Sequence, residues 1–389
     1  MSPNDLQQPW LDEFENIRSF NDDEVKRQVA LLVDSDQFNL QMMQLFSDVS
    51  PDHNETAAQV IEELRESLKQ ADTIEQFQQI ELHFLSSALS GMLRQLTVQG
   101  LNDLLQQQNH LFISNHRDIV LDPLVLNWTL LKTGLPTCHC AIGDNLLAEE
   151  SGKRLARLNK CFAVMRSIRS PRAMVAAMKV QSAYIRHLQF NKTESVWLAQ
   201  REGRSKNNTD KTNPALLKML ALAKPKAVSF ADYMRQLNIV PVSLSYEWDP
   251  CDIQKAEQVC AEQRGRYIKS SDEDLQAVKT GVTGDKGQIH CEFNTQFNRQ
   301  IDEEMDHLEI ANRLDQCIHQ GYKLFPVNVA ACELIGKPLP ATLGHGFGNA
   351  QITRAKAELE ARINNQPDVI QTQVKTSYAQ PALNFAGLD

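Results

Sequence analysis

The sequence predicts an α/β protein: a mostly parallel mixed sheet flanked by helices, with an N-terminal helical region. Three observations predict it. Short apolar runs recur from residue 111 onward, at 111–114, 138–143, 162–165, 195–200, 239–246 and 288–293. Helical stretches lie between most of them, and such alternation builds a layered, largely parallel sheet. The part before residue 109 instead carries apolar residues at helical spacing. At 389 residues the chain exceeds the usual single-domain size. The expected division is an acidic helical region over 1–108, an α/β domain over 109–330, and a C-terminal helix and tail over 331–389.

Taken in order, NDDEVKRQVALLVD opens with acids that suit a helix N-terminus. ETAAQVIEELRESLKQ and IEQFQQIELHFLSSALSGMLRQL continue the helical pattern, and Gly100 with the Gln106–Asn109 run closes this part. Residues 170–190 read as a helix between strands. The polar segment 250–287 reads as a long excursion before a returning strand. Residues 301–324 read as a helix ending at Gly321, and 352–365 as another. The last twenty or so residues lack periodicity and read as a loose tail.

Composition narrows the class. No apolar run is long enough to span a bilayer, and the acidic, polar N-terminus has no signal-peptide pattern, so a membrane role would be peripheral. Eight scattered cysteines, several in strand-like runs, suggest reduced thiols and a cytoplasmic setting. Cys138-His139-Cys140 lacks a second Cys/His pair at metal-binding spacing and reads as strand alternation rather than a zinc site. The net charge of −9 hides an asymmetry: residues 1–110 hold 19 acidic and 6 basic residues, whereas 151–226 hold 17 basic and 3 acidic. The basic segment points to an anionic ligand or surface. No Walker loop or dinucleotide fingerprint occurs, and no nucleic-acid partner is expected.

The chain is organised around LFISNHRDIVLDP, residues 111–123. It reads as a buried strand, a short loop and a helix, with Asp122 as N-cap and Pro123 in the first turn. His116 on that loop, with a carboxylate nearby to hold its imidazole, is a general-base arrangement. A loop histidine beside a capping aspartate is the plain alternative. Further on, Arg166 leaves one strand and Arg204 follows another, where guanidinium groups suit bidentate phosphate contact.

In order along the chain, these blocks resemble the glycerolipid acyltransferase family, which includes glycerol-3-phosphate and 1-acylglycerol-3-phosphate O-acyltransferases. Asn115-His116 followed by Asp122 is similar to the family's N-H-x4-D block, with five intervening residues instead of four. AIGDNLL, 141–147, resembles the Gly-Asp-Asn turn of the bacterial glycerol-3-phosphate enzymes. Phe162 and Arg166 match the second block, whose opening glycine is Lys160 here. Glu202, Gly203, Arg204 and Ser205 match the third, and IVPVSLSYE, with Pro241, resembles the fourth. The resemblance covers roughly 111–293.

It implies transfer of a fatty acyl group from acyl-CoA or acyl carrier protein to a hydroxyl of a phosphorylated glycerol or lysolipid acceptor. 1-Acylglycerol 3-phosphate is the leading acceptor and glycerol 3-phosphate the alternative. His116 and Asp122 would be catalytic. Asn115, Arg166, Glu202, Gly203, Arg204, Ser205 and Lys206 would bind substrate. The resemblance implies no metal, and no cofactor besides the co-substrate donor. A non-catalytic lipid- or phosphate-binding protein of the same fold is one competing reading. A hydrolase acting on water or through Ser114 is another, although the G-x-S-x-G elbow is missing. The basic segment leads to an expected peripheral attraction to anionic lipid, on the inner face of the membrane.

Overall fold

A computed structural model describes residues 11–49, 57–92, 94–104, 108–270, 273–340 and 346–388. Five helices come first: α1 (Leu11–Phe14), α2 (Asp22–Val33), α3 (Asp36–Val49), α4 (Ala57–Leu68) and α5 (Ile74–Met92). The α2 N-terminus is closed by a reciprocal pair, Asn21 with Glu24, and its first turn carries three acids that complement the helix dipole. Val25, Val29, Leu32, Leu64, Leu68 and Phe77 from α2, α4 and α5 bury their side chains together with Leu158. On α5, burial lifts the Glu81 carboxyl to about 7. The folded chain therefore holds that proton where the unfolded chain has released it, and this contribution to stability is lost as pH rises from 4.5 to about 7. Glu81→Gln should flatten that part of the curve. Denaturant midpoints measured across the window check it, and parallel curves would remove Glu81 as the cause.

Helix does not continue to residue 108. The chain turns at Arg94 into strand β1 (Gln95–Gln99), which the sequence pattern assigned to the helical region. As an outermost strand with mostly exposed or half-exposed side chains, β1 lacks the apolar run of an internal strand. Gly100 ends it at φ 76°, where a Cβ would lie 2.1 Å from the Phe293 carbonyl oxygen. That approach requires glycine. Of the run 106–109, Gln106 and Gln107 fall outside the described residues.

Six further strands follow: β2 (Leu111–Ser114), β3 (His139–Gly143), β4 (Cys161–Val164), β5 (Val196–Ala199), β6 (Ile239–Tyr246) and β7 (Gln288–Phe293). All six lie where the apolar runs placed them. They form one sheet in the order β1-β7-β6-β2-β5-β3-β4. Every neighbouring pair is parallel except β6 with β7. Both faces of β2 are buried: Leu111 and Ile113 join one core, Phe112 the other. That two-sided burial is why its sequence is continuously apolar. Cys138 and Cys140 share the second core, whereas His139 turns to the opposite face toward Ser19 and Glu194. The Cys-His-Cys triplet is thus strand alternation.

The connecting helices are α6 (Leu121–Lys132), α7 (Glu150–Leu158), α8 (Pro171–His187), α9 (Pro214–Leu220), α10 (Phe230–Gln236), α11 (Asp252–Gln263) and α12 (Glu273–Thr283). The excursion 250–287 thus contains two helices. Four more helices follow: α13 (His307–Gln320), α14 (Pro326–Leu334), α15 (Asn349–Ile363) and α16 (Asp368–Ala386). Asp306 caps α13, so it starts six residues later than the pattern suggested and closes at Gly321 as expected. The loose tail is not loose. It is α16, which buries Val374, Tyr378, Ala379, Ala382 and Leu383 against α11 and α14. No helix among the described residues is long and apolar enough to cross a membrane.

Parallel strands bring their carboxyl ends to one edge. The loops leaving β2, β3, β4, β5 and β6 meet there, and ligands on such sheets bind at that edge.

Candidate active site

His116 sits on the loop between β2 and α6, its side chain 13% exposed. Its Nδ1 lies 2.8 Å from Asp122 Oδ2. The same carboxylate oxygen accepts the backbone N–H groups of Arg117 (2.6 Å) and Asp118 (3.0 Å). The Tyr246 hydroxyl donates to Asp122 Oδ1 at 2.7 Å, and burial followed by the Asp122 charge pushes that phenol well above its ordinary pKa, keeping it a donor. Four donors on a fully buried carboxylate satisfy its oxygens and fix its position. The Trp197 ring packs edge-on against the imidazole, centroids 5.6 Å apart. No described residue hydrogen-bonds Nε2, so the ring is held at one nitrogen and open at the other.

Asp118 does the capping that the sequence assigned to Asp122. Its Oδ1 accepts from Val120 N and Leu121 N, both at 2.9 Å, at the start of α6. Asp122 lies one residue inside the helix, where its side chain turns back to the loop. Burial, and then the nearby Asp122, raise the Asp118 carboxyl above its ordinary range.

Asn115 was expected among the substrate-binding residues. It is fully buried, and its amide spans to β6: Nδ2 donates to Leu244 O at 2.9 Å, and Oδ1 accepts from Leu244 N at 2.8 Å. Its side chain straps the His loop to the sheet instead. Ser114 is equally engaged, donating to Asn115 O and accepting from Trp197 Nε1. A hydroxyl held on both sides deep in the sheet is poorly placed as a nucleophile, which weakens the hydrolase reading.

The Gly-Asp-Asn turn positions Arg166. Asp144 follows β3 and accepts from the backbone N–H groups of Arg166 (3.0 Å) and Ser167 (3.3 Å) where the chain leaves β4. Arg166 Nε is 3.6 Å from Glu202 Oε1, too far for a hydrogen bond, and is buried without an acceptor among the described residues. Arg204 Nη1 is likewise buried and unpaired, in the field of Asp249 on the loop after β6. The two guanidinium groups therefore have different carboxylate neighbours.

Ser205 N donates to His116 O at 2.7 Å, so the loop after β5 is bonded directly to the catalytic-loop candidate. The Ser205 hydroxyl is buried and has no partner among the described residues. Gly203 has φ 76° and open space around it, so glycine serves the left-handed backbone rather than a tight approach. Lys206, also expected at the substrate, points elsewhere. It pairs with Glu262 at 2.6 Å and lies over the Tyr267 ring.

Sequence reasoning missed Trp197, Tyr246 and a buried ion pair beside His116. Arg117 Nη2 lies 2.8 Å from Asp210 Oδ2, with the side chains 7% and 0% exposed. Tyr322 also donates to Asp210, and Lys255 Nζ donates to Arg117 O at 2.7 Å. The aromatic residues offered a signal: each stands on a strand that ends at this edge. The ion pair offered none, because its members lie in separate loops.

Residues 95–245 match the family model described as Acyltransferase. The chain carries an acyltransferase domain. That stretch spans β1 to β6 and contains His116, Asp122, Trp197, Arg204 and all but the last residue of β6. A solved 1-acyl-sn-glycerophosphate (LPA) acyltransferase, PlsC, from Thermotoga maritima is similar over 75% of this chain and 94% of that one, at 12% identity and a TM-score of 0.34. That score is too low to establish a shared fold. No curated protein matches the chain. Helices α11 to α16 lie outside the matched acyltransferase domain.

Proposed function

We propose that the acyltransferase domain moves a fatty acyl group from acyl-CoA or acyl carrier protein to the hydroxyl of 1-acylglycerol 3-phosphate. One observation carries the reading: an imidazole fixed at Nδ1 by a buried carboxylate and open at Nε2, on the ligand edge of the sheet. Asp122 holds the tautomer with the proton on Nδ1. Nε2 takes the proton of the acceptor hydroxyl as its oxygen attacks the thioester carbonyl. The tetrahedral intermediate collapses with loss of the thiolate, which recovers the proton from the imidazolium. No covalent enzyme intermediate is required. The backbone amides of Glu202, Gly203 and Arg204, which donate no hydrogen bond to a described residue, are available to the developing oxyanion or the acceptor phosphate.

Arg166 and Arg204 are assigned to the acceptor phosphate in this proposal, because each holds a buried N–H without an acceptor. Charge-assisted hydrogen bonds contribute roughly 1.5–3 kcal/mol, so Ala at either position should lower acceptor kcat/KM on the order of 10–100-fold, mainly through KM. Donor KM should stay unchanged, and Lys should restore only part of the loss. If Arg166 merely tethers Glu202, Glu202→Gln will match Arg166→Ala and acceptor KM will not move. The overall test is thiol release by the purified chain, supplied with an acyl-CoA and with 1-acylglycerol 3-phosphate or glycerol 3-phosphate. Release with the second acceptor alone reassigns the substrate. Release with no acceptor present favours hydrolysis, and binding without release favours a non-catalytic protein.

A further inference from the structure

Two segments of the acyltransferase domain are free of acidic residues in a chain whose net charge is −9. Residues 167–193 hold five cations and no acid; residues 211–228 hold four and no acid. The fold packs them together. The Ser182 hydroxyl in the middle of α8 donates to Leu220 O and accepts from Ala223 N, which seats the turn at Ala221–Ala223 across the helix. On either side of that crossing, one line of α8 and of the turn after it faces outward: Arg172, Val175 and Lys179 are exposed toward the start, Arg186 is half-buried near the end, and Phe190 is exposed in the turn that follows. These positions recur at three- and four-residue steps, so they share a face.

The line is not merely charged. Val175 is 49% exposed, Phe190 39% and, beside the crossing, Leu222 45%. Among the described residues Arg169, Arg172, Lys179, Lys192 and Lys226 form no ion pair. The adjacent acids are used elsewhere: Glu194 faces His139 and Glu202 faces Arg166.

We propose that this face of α8, with Leu222, docks on an anionic lipid surface. Cations interleaved with single aliphatic and aromatic residues along a helix suit headgroups above and acyl boundary below. A protein partner is the weaker match, because lysine is depleted where protein interfaces bury surface. Placement gives the docking a purpose. α8 begins five residues after Arg166, so its exposed N-terminal half borders the edge that carries His116. Docking turns that edge toward the bilayer, where a lysolipid acceptor resides. The purpose rests on the proposed function; the binding does not, and it is read without turnover.

The test is co-sedimentation of the full chain with vesicles of phosphatidylglycerol or of phosphatidylcholine. Binding should be confined to the anionic vesicles and fall at least about tenfold between low and high salt, as screening shortens to a few Å. Each cation contributes roughly fivefold, so Arg172→Glu with Lys179→Glu should lose at least about tenfold. Val175→Asp with Leu222→Asp should weaken binding at low salt too, and Arg354→Glu on α15 should leave it intact. Lys179→Gln serves as the milder variant if a charge reversal fails to fold. Equal binding to neutral vesicles, or full binding by both double variants, overturns the proposal. So does capture by an acidic carrier protein, abolished by the same substitutions, with no vesicle binding.

Discussion

His116→Ala should lower the acyl-transfer rate on the order of 10²–10⁴-fold, the usual cost of losing a positioned base. Stability should change little, because the ring is near the surface and its one hydrogen bond is to a carboxylate that keeps three other donors. Circular dichroism and turnover on one preparation decide the matter, and near-normal turnover with a native spectrum ends the assignment. Asp122→Asn should act through the lost charge: the backbone N–H groups of Arg117 and Asp118 hold its carbonyl oxygen toward Nδ1, so the ring keeps its tautomer but the imidazolium formed during transfer loses its counter-charge, and turnover should fall. Asp118→Ala should behave differently, weakening the start of α6 by about 1 kcal/mol with turnover largely retained. A larger kinetic loss at Asp118 than at Asp122 would reverse their roles.

Asp210→Ala should be the most destabilising single change near the site. It leaves the buried Arg117 guanidinium without its carboxylate, and breaking one side of a buried pair costs roughly 3–5 kcal/mol. Burial already works against the Arg117 charge, and Asp210 and Tyr322 are the groups that sustain it. Tyr322 would lose its acceptor as well. Removing both charges together, as Arg117→Met with Asp210→Leu, should cost less than Asp210→Ala alone, because no uncompensated charge remains. A denaturant series on the three chains checks the order. If the double variant is the least stable, the pair supports the loop in some way other than charge compensation.

The internal strands were legible because burial on both faces makes them continuous apolar runs; β2 and β6 are the clearest cases. β1 was not, since QLTVQ faces solvent for much of its length and reads as the end of an amphipathic helix. α16 was hidden for the opposite reason. Packed against α11, α13, α14 and α15, it shows no single apolar stripe, and Pro381 lies inside it. At the site, His116 and Asp122 were legible because they share a loop and the first turn of the next helix. Asn115 was misread because its purpose depends on Leu244, 129 residues away. Lys206 was read as a ligand contact from its charge, and its pairing with Glu262, far off in sequence, was not legible. The inserted residue between His116 and Asp122 fits a loop in which Asp118 caps the helix and leaves Asp122 to the histidine.

The pairing of β1 with β7 has a consequence for how the chain comes to be folded. Thr97 and His290 meet across that pair from positions 193 residues apart. At ordinary synthesis rates of 5–20 residues per second, β7 leaves the ribosome about 10–40 s after β1. Throughout that interval β1 has no neighbour at all, and β6, an apolar strand, has none on one side from its own emergence until β7 follows. An unpaired apolar strand edge is where chains cross-associate. Chains truncated before residue 288 should therefore aggregate even though they contain every residue assigned to the chemistry. In the complete chain, closure of the sheet should be a slow, late step of refolding.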